Sequence, residues 1–95
     1  VTPDELGDVD SQTLVTRLNG EVMQETSVGD LAFKVPDLLA YVSTITELLP
    51  GDIIATGTPS GVGLFRDPKV FMKAGDRIEV EISGIGTLRN TIADE

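Results

Sequence analysis

The sequence contains no cysteine, no histidine and no tryptophan. The missing cysteines exclude disulfides, thiolate zinc sites and cysteine nucleophiles. The missing histidines exclude any Ser-His-Asp or Cys-His catalysis assembled from this chain alone. Aromatics are sparse, with one Tyr and three Phe. No apolar run approaches the roughly 20 residues of a membrane span, so the chain is expected to be soluble. Basic residues are also few. Seven Lys and Arg stand against sixteen Asp and Glu, a net charge of −9, which argues against nucleic acid and anionic membranes as partners. The imbalance is uneven: residues 1–50 carry −7 and residues 51–95 carry −2. The acids read as a solvated surface, because their spacing in the first half is not that of a cation site. Ninety-five residues make one domain or a piece of one.

What is present centres on Pro50-Gly51-Asp52-Ile53-Ile54-Ala55-Thr56-Gly57-Thr58-Pro59-Ser60-Gly61-Val62-Gly63. A Pro-Gly turn opens it, and Ile53-Ile54-Ala55 reads as a short apolar strand. The chain then enters a loop in which glycines alternate with hydroxyl residues. Glycine permits positive φ and close approach of another molecule. Thr56, Thr58 and Ser60 bring hydroxyls that both donate and accept. Two readings stand together here, a ligand-holding loop and a tight connection with no ligand. It is not a phosphate loop, since no Lys-Ser or Lys-Thr follows spaced glycines.

Around this stretch the chain divides into simple elements. Val1–Leu6 has a helical turn's signals: Thr2 as cap, Pro3 at the first position, Asp4 and Glu5 in the first turn. Residues 13–18 and 21–26 form a β-hairpin about Asn19-Gly20, in a register setting Leu18 opposite Glu21 and Thr16 opposite Met23. Its apolar residues fall on both faces, so the hairpin is expected to lie partly outside or against something the chain does not supply. Val35, Leu38, Leu39, Val42, Ile45 and Leu49 follow helical spacing and predict a helix over 35–49, stopped by Pro50-Gly51. Residues 64–74 read as an irregular surface connection, or as a cover over the loop. Residues 77–82 alternate cleanly, with Ile78, Val80 and Ile82 inward. Gly84-Ile85-Gly86 is a hairpin loop, pairing Ser83 with Thr87 and Glu81 with Arg89. Glu79 and Glu81 read as a solvated, paired face rather than an acid/base dyad. The sum is a β-rich α+β fold.

At this point several separate blocks carry a family resemblance. The 50–63 stretch resembles the signature loop of the fumarylacetoacetate hydrolase family. Val1-Thr2-Pro3-Asp4-Glu5, Leu18-Asn19-Gly20-Glu21, Lys73-Ala74-Gly75-Asp76 and Gly84-Ile85-Gly86-Thr87-Leu88-Arg89-Asn90 resemble the same C-terminal half in the same order. The resemblance implies part of a mixed β-sandwich or β-roll, with residues 1–95 as the C-terminal portion of one catalytic domain. It implies hydrolysis of a C–C bond in small β-diketo or 2-oxo acids of the acylpyruvate or fumarylpyruvate type. Isomerisation and decarboxylation are the alternatives within the family. It implies a divalent cation, Mg2+ or else Mn2+ or Ca2+, a homodimer and a cytoplasmic location. It makes Gly57 and Thr58 the substrate-binding pair, Thr58 contacting the substrate carboxylate region. The family's metal-ligand carboxylates, catalytic lysine and His-Glu pair lie upstream of the first block and are absent from this chain. On this reading the metal and the rest of the domain come from residues outside 1–95, and the chain alone is inactive. A non-catalytic scaffold or subunit-interaction module is the competing class.

Overall fold

A computed structural model describes residues 1–94. Its frame is one antiparallel sheet of four strands: β1 (Thr13–Leu18), β2 (Glu21–Ser27), β3 (Arg77–Ile82) and β4 (Gly86–Thr91), in the order β2-β1-β3-β4. A short helix α1 (Pro3–Leu6) precedes the sheet, and α2 (Val35–Ser43) follows β2. The β-rich α+β class is therefore the observed one.

Strand pleating sends alternate residues to opposite faces. Leu14, Thr16 and Leu18 pair with Ile82, Val80 and Ile78. These residues make an apolar face, on which the glycine-rich loop lies. The other face is ionic. Arg17 pairs with Glu81 at 2.6 Å, and Arg89 with Glu79 at 2.8 Å. Val15, on the central strand β1 of this ionic face, is the one buried hydrophobic side chain among the described residues, at 9% exposure. Ile45, Leu49, Phe65 and Phe71 stay exposed. The chain thus carries much apolar surface that it does not cover itself.

The first turn forms as the residues dictate. The Glu5 carboxylate accepts from both the Thr2 N–H, at 2.8 Å, and the Thr2 hydroxyl, at 3.0 Å. Asn19 takes positive φ at 52° in the β1–β2 turn. Its side chain ties that turn to the one before β3. Asn19 Nδ2 donates to Asp76 Oδ1, and the Arg77 N–H donates to Asn19 Oδ1, both at 2.9 Å. Asp76 Oδ2 accepts from the Lys73 N–H at 2.9 Å, so a carboxylate only 6% exposed has partners on both oxygens.

Four expectations are corrected. Ile53-Ile54-Ala55 is not a strand, and Ile53 is 94% exposed. β-propensity reflects fit to a pleated, half-buried surface, and no neighbouring strand offers these residues one. Helix α2 ends at Ser43 rather than Leu49. There the Ser43 and Thr44 hydroxyls donate to the carbonyls of Ala40 and Tyr41, in competition with the backbone ladder. The apolar stripe meant to bury this helix is left open at Leu39, Ile45 and Leu49.

In the first hairpin Leu18 faces Glu21 as expected, but Thr16 faces Gln24, not Met23. A β-bulge between Thr16 and Arg17 on the β1 side makes Met23 the extra residue of β2. In the second hairpin the register is shifted by two. Ile82 pairs with Gly86, Glu81 with Thr87 and Glu79 with Arg89, which replaces the expected Ser83–Thr87 and Glu81–Arg89 pairs. The cause is Ser83, which belongs to β1 instead. Its N–H donates to the Thr13 carbonyl at 3.0 Å, and its Oγ accepts from the Thr13 N–H at 2.8 Å. Ser83 is thereby drawn into the loop, and Glu81 is left to Arg17. The two glutamates are paired as expected, although Glu79, at 15% side-chain exposure, is more covered than a solvated face implies.

Candidate functional site

The bulge organises the site. An extra residue interrupts the ladder, bends the strand and re-aims the side chains beside it. Met23 presents its carbonyl outward, where Arg66 Nη2 donates to it at 2.5 Å. Arg66 Nε donates to the Gly61 carbonyl at 3.0 Å, so one guanidinium clamps the loop to the strand. Gly61 sits so close that a Cβ on it would stand 2.1 Å from the Met23 carbonyl oxygen. Beside Met23, Gln24 Nε2 donates to Thr58 Oγ1 at 2.9 Å and to the Pro59 carbonyl at 2.8 Å. Two consecutive β2 residues therefore hold the loop at three points.

Held in this way, Thr56–Ser60 borders a cleft of about 570 Å3. Leu14 and Ile82 of the sheet, the segment after β2, and the carboxylates Glu25 and Asp30 complete its lining. Thr58 sits between this cleft and an apolar neighbour of about 480 Å3 lined by Met23, Gln24 and Phe71. Gly57 and Thr58, the pair singled out in the sequence, thus both line the first cleft. Gly57 has φ +99°, and a Cβ there would meet nothing within 4 Å, so its glycine is needed for conformation rather than space. Gln24 and Arg66 were not singled out. The trace they leave in the sequence is weak, a lone amide in a strand and one base in an irregular segment.

No Lys or Arg lines the larger cleft among the described residues. Lys34 is turned away, donating to the Gly29 carbonyl and lying 3.5 Å from Asp10. The donors available are neutral ones, hydroxyls and backbone N–H groups. Among the described residues no three His, Cys, Asp or Glu side chains gather in a metal-holding cluster. These residues do not fit a resident cation by themselves. The depressed carboxylates are at structural positions instead. The hydrogen bond from Asn19, followed by that from the Lys73 N–H, lowers Asp76, and the hydrogen bond from Arg89 lowers Glu79. No helix among the described residues is long and apolar enough to cross a membrane.

Comparison with known proteins places this geometry. The family model for "Fumarylacetoacetate (FAA) hydrolase C-terminal" matches residues 1–93. The mitochondrial oxaloacetate tautomerase Fahd2a of Rattus norvegicus is 44% identical over 92 residues, covering 97% of this chain and 29% of that protein. The fumarylacetoacetate hydrolase of psychrophilic Exiguobacterium antarcticum superposes with a TM-score of 0.93 at 41% identity, over 100% of this chain and 34% of that one. Maleylpyruvate hydrolase from Sphingobium sp. SYK-6, in complex with manganese(II) and pyruvate, superposes with a TM-score of 0.84 at 33% identity, over 98% of this chain and 33% of that one. The chain therefore spans about a third of the length of these relatives.

Proposed function

The chain belongs to the fumarylacetoacetate hydrolase family, and on that premise we propose that it forms one wall of the active site of an enzyme acting on small 2-oxo or β-diketo acids. The observation that carries the reading is the Gly57-Thr58 corner, which lines a cleft whose donors are neutral and whose size suits a small acid. Thr58 would donate its hydroxyl to the substrate carboxylate, and Gly57 would let the backbone come close. Their work is binding and orientation, which lowers a barrier by fixing the reacting bond in place.

In this reading residues 1–95 are the C-terminal portion of one domain. A divalent cation, Mg2+, Mn2+ or Ca2+, is held by residues outside this stretch, and it supplies Lewis-acid stabilisation of developing enolate charge. The manganese(II) and pyruvate in complex with the Sphingobium relative support a divalent cation and a small oxo acid as ligands. The exposed Ile53, Phe65 and Phe71 support further covering polypeptide, both the rest of the domain and a second copy in a homodimer. We place the enzyme in the cytoplasm.

The reaction we favour is hydrolysis of a C–C bond in an acylpyruvate or fumarylpyruvate, as the hydrolase relatives' names suggest. A second reading, an isomerase that shifts a proton rather than cleaving a bond, is favoured by the tautomerase relative at 44% identity. The full-length protein carrying these residues is to be assayed with an acylpyruvate and, separately, for keto-enol exchange of oxaloacetate. Thr58→Ala is expected to lower kcat/KM for the true substrate by about tenfold or more, the loss of a hydrogen bond to a charged group. Unchanged turnover by Thr58→Ala would remove the assigned role and favour a scaffold.

A further inference from the structure

We propose that Gln24 is a positioning residue of this site, fixing the direction of the Thr58 hydroxyl so that the cleft is offered a donor. This rests on Thr58 as the acid-binding residue and extends that reading to a residue it does not include. A backbone carbonyl only accepts, so the amide atom 2.8 Å from the Pro59 oxygen is the NH2 nitrogen, Nε2. The same nitrogen lies 2.9 Å from Thr58 Oγ1. An amide nitrogen has two hydrogens, and both are then committed, one to each oxygen. Thr58 Oγ1 therefore receives from Gln24, and its single hydrogen must point elsewhere. Thr58 lines the larger cleft as well as the smaller one, and the larger cleft, which Gln24 does not line, is where we infer that this hydrogen goes.

The consequence is preorganisation. A carboxylate or keto oxygen in the cleft meets a hydroxyl hydrogen that Gln24 has already turned away from itself. Gln24 itself lines the smaller apolar cleft and not the larger one, so it acts through Thr58 rather than by touching the ligand. Its aim is set by the bulge. Met23 before it is held at the carbonyl by Arg66, and Thr16 stands opposite it on β1.

The test is a double-mutant cycle on the full-length protein in the presence of Mn2+, titrating pyruvate calorimetrically and recording the melting temperature of each variant. Thr58→Ala is expected to raise Kd for pyruvate about tenfold or more. Gln24→Met keeps length but gives no hydrogen, and it is expected to raise Kd several-fold in the presence of Thr58. In the Thr58→Ala background the same change is expected to alter Kd less than about twofold, because no hydroxyl remains to be turned. Thr58→Ser keeps the hydroxyl and is expected to keep the sensitivity to Gln24→Met. If Gln24→Met melts below the assay temperature, Gln24→Glu replaces it in the cycle. Its carboxylate repels an anionic ligand in both backgrounds, and only where Thr58 is present does it also accept from the hydroxyl and turn that hydrogen from the cleft, so a Thr58-dependent excess weakening is still the expected result. Equal weakening by the Gln24 change with and without Thr58, or none where Thr58→Ala weakens binding, overturns the positioning role and leaves the acid-binding role standing. A Thr58→Ala Kd equal to wild type overturns the acid-binding role and this inference with it.

Discussion

Gly57 and Gly61 have nearly the same backbone angle, φ +99° and +100°, but opposite surroundings. A Cβ at Gly57 meets open space, while one at Gly61 meets the Met23 carbonyl oxygen at 2.1 Å and Gln24 Cγ at 3.2 Å. Alanine at either position carries the conformational penalty of positive φ, about 1–2 kcal/mol. Alanine at Gly61 adds forced separation of the loop from β2, comparable to overpacking a core at about 1–3 kcal/mol. It also strains the hydrogen bonds of Arg66 and Gln24 that span the same gap, each contributing about 1 kcal/mol or more. Gly57→Ala is therefore expected to destabilise by about 1–2 kcal/mol and Gly61→Ala by roughly 3–5 kcal/mol. Urea denaturation of the full-length protein, followed by two spectroscopic probes, measures both. The comparison at equal φ isolates the close approach from the backbone term. Equal losses at the two positions would show that the loop does not bear on the bulge, and the account of how the site is held would fail.

Four further outcomes follow from other contacts of the fold. Arg66→Met removes the donors to the Gly61 and Met23 carbonyls, and it is expected to cost about 1–3 kcal/mol and to speed hydrogen exchange across residues 57–65; unchanged exchange there would refute the clamp. Asp76 is lowered from its ordinary 3.8, first by Asn19 and then by the Lys73 N–H, so its folded form favours the carboxylate. That stability is present above pH 3.8 and is lost as pH falls through the lower folded value; Asp76→Asn should flatten this acid limb, and an unaltered slope would count against the assignment. Glu79, lowered from 4.5 chiefly by the hydrogen bond from Arg89, adds the same sign over the neighbouring range, and Arg89→Met should remove most of its share in the same pH titration. Ser83→Ala takes away the acceptor of the Thr13 N–H, and faster exchange of the Thr13 amide is the expected result, at a cost of about 1 kcal/mol.

What the sequence announced and what it concealed separate along a physical line. The Asn19-Gly20 turn, the capped first helix and the alternating 77–82 strand depend on near neighbours, and each formed where its residues called for it. The register of the second hairpin depends on a group far along the chain. Ser83 is claimed by Thr13, seventy residues away, and moves the β3–β4 pairing by two. The Ile53-Ile54-Ala55 strand and the last turn of α2 needed a partner surface that this chain does not provide, and apolar periodicity alone did not reveal that.

The site divides in the same way. That Gly57 and Thr58 lie in a loop bordering a cleft was legible because an unusual run of glycines and hydroxyls is a local signal. Gln24 and Arg66 were not, because their meaning comes from a bulge that exists only when β2 pairs with β1. Yet the bulge brings Met23 and Gln24 to the loop, and without it the hydroxyls of 56–60 would hang from a flexible, glycine-rich connector. A loop rich in glycine binds a small acid with little ordering penalty only if something outside the loop has already ordered it. In this chain that something is a single inserted residue in a neighbouring strand, flanked by one amide and one guanidinium. Relatives that keep the loop but lose the amide and the guanidinium should bind acids more weakly than loop identity alone would suggest.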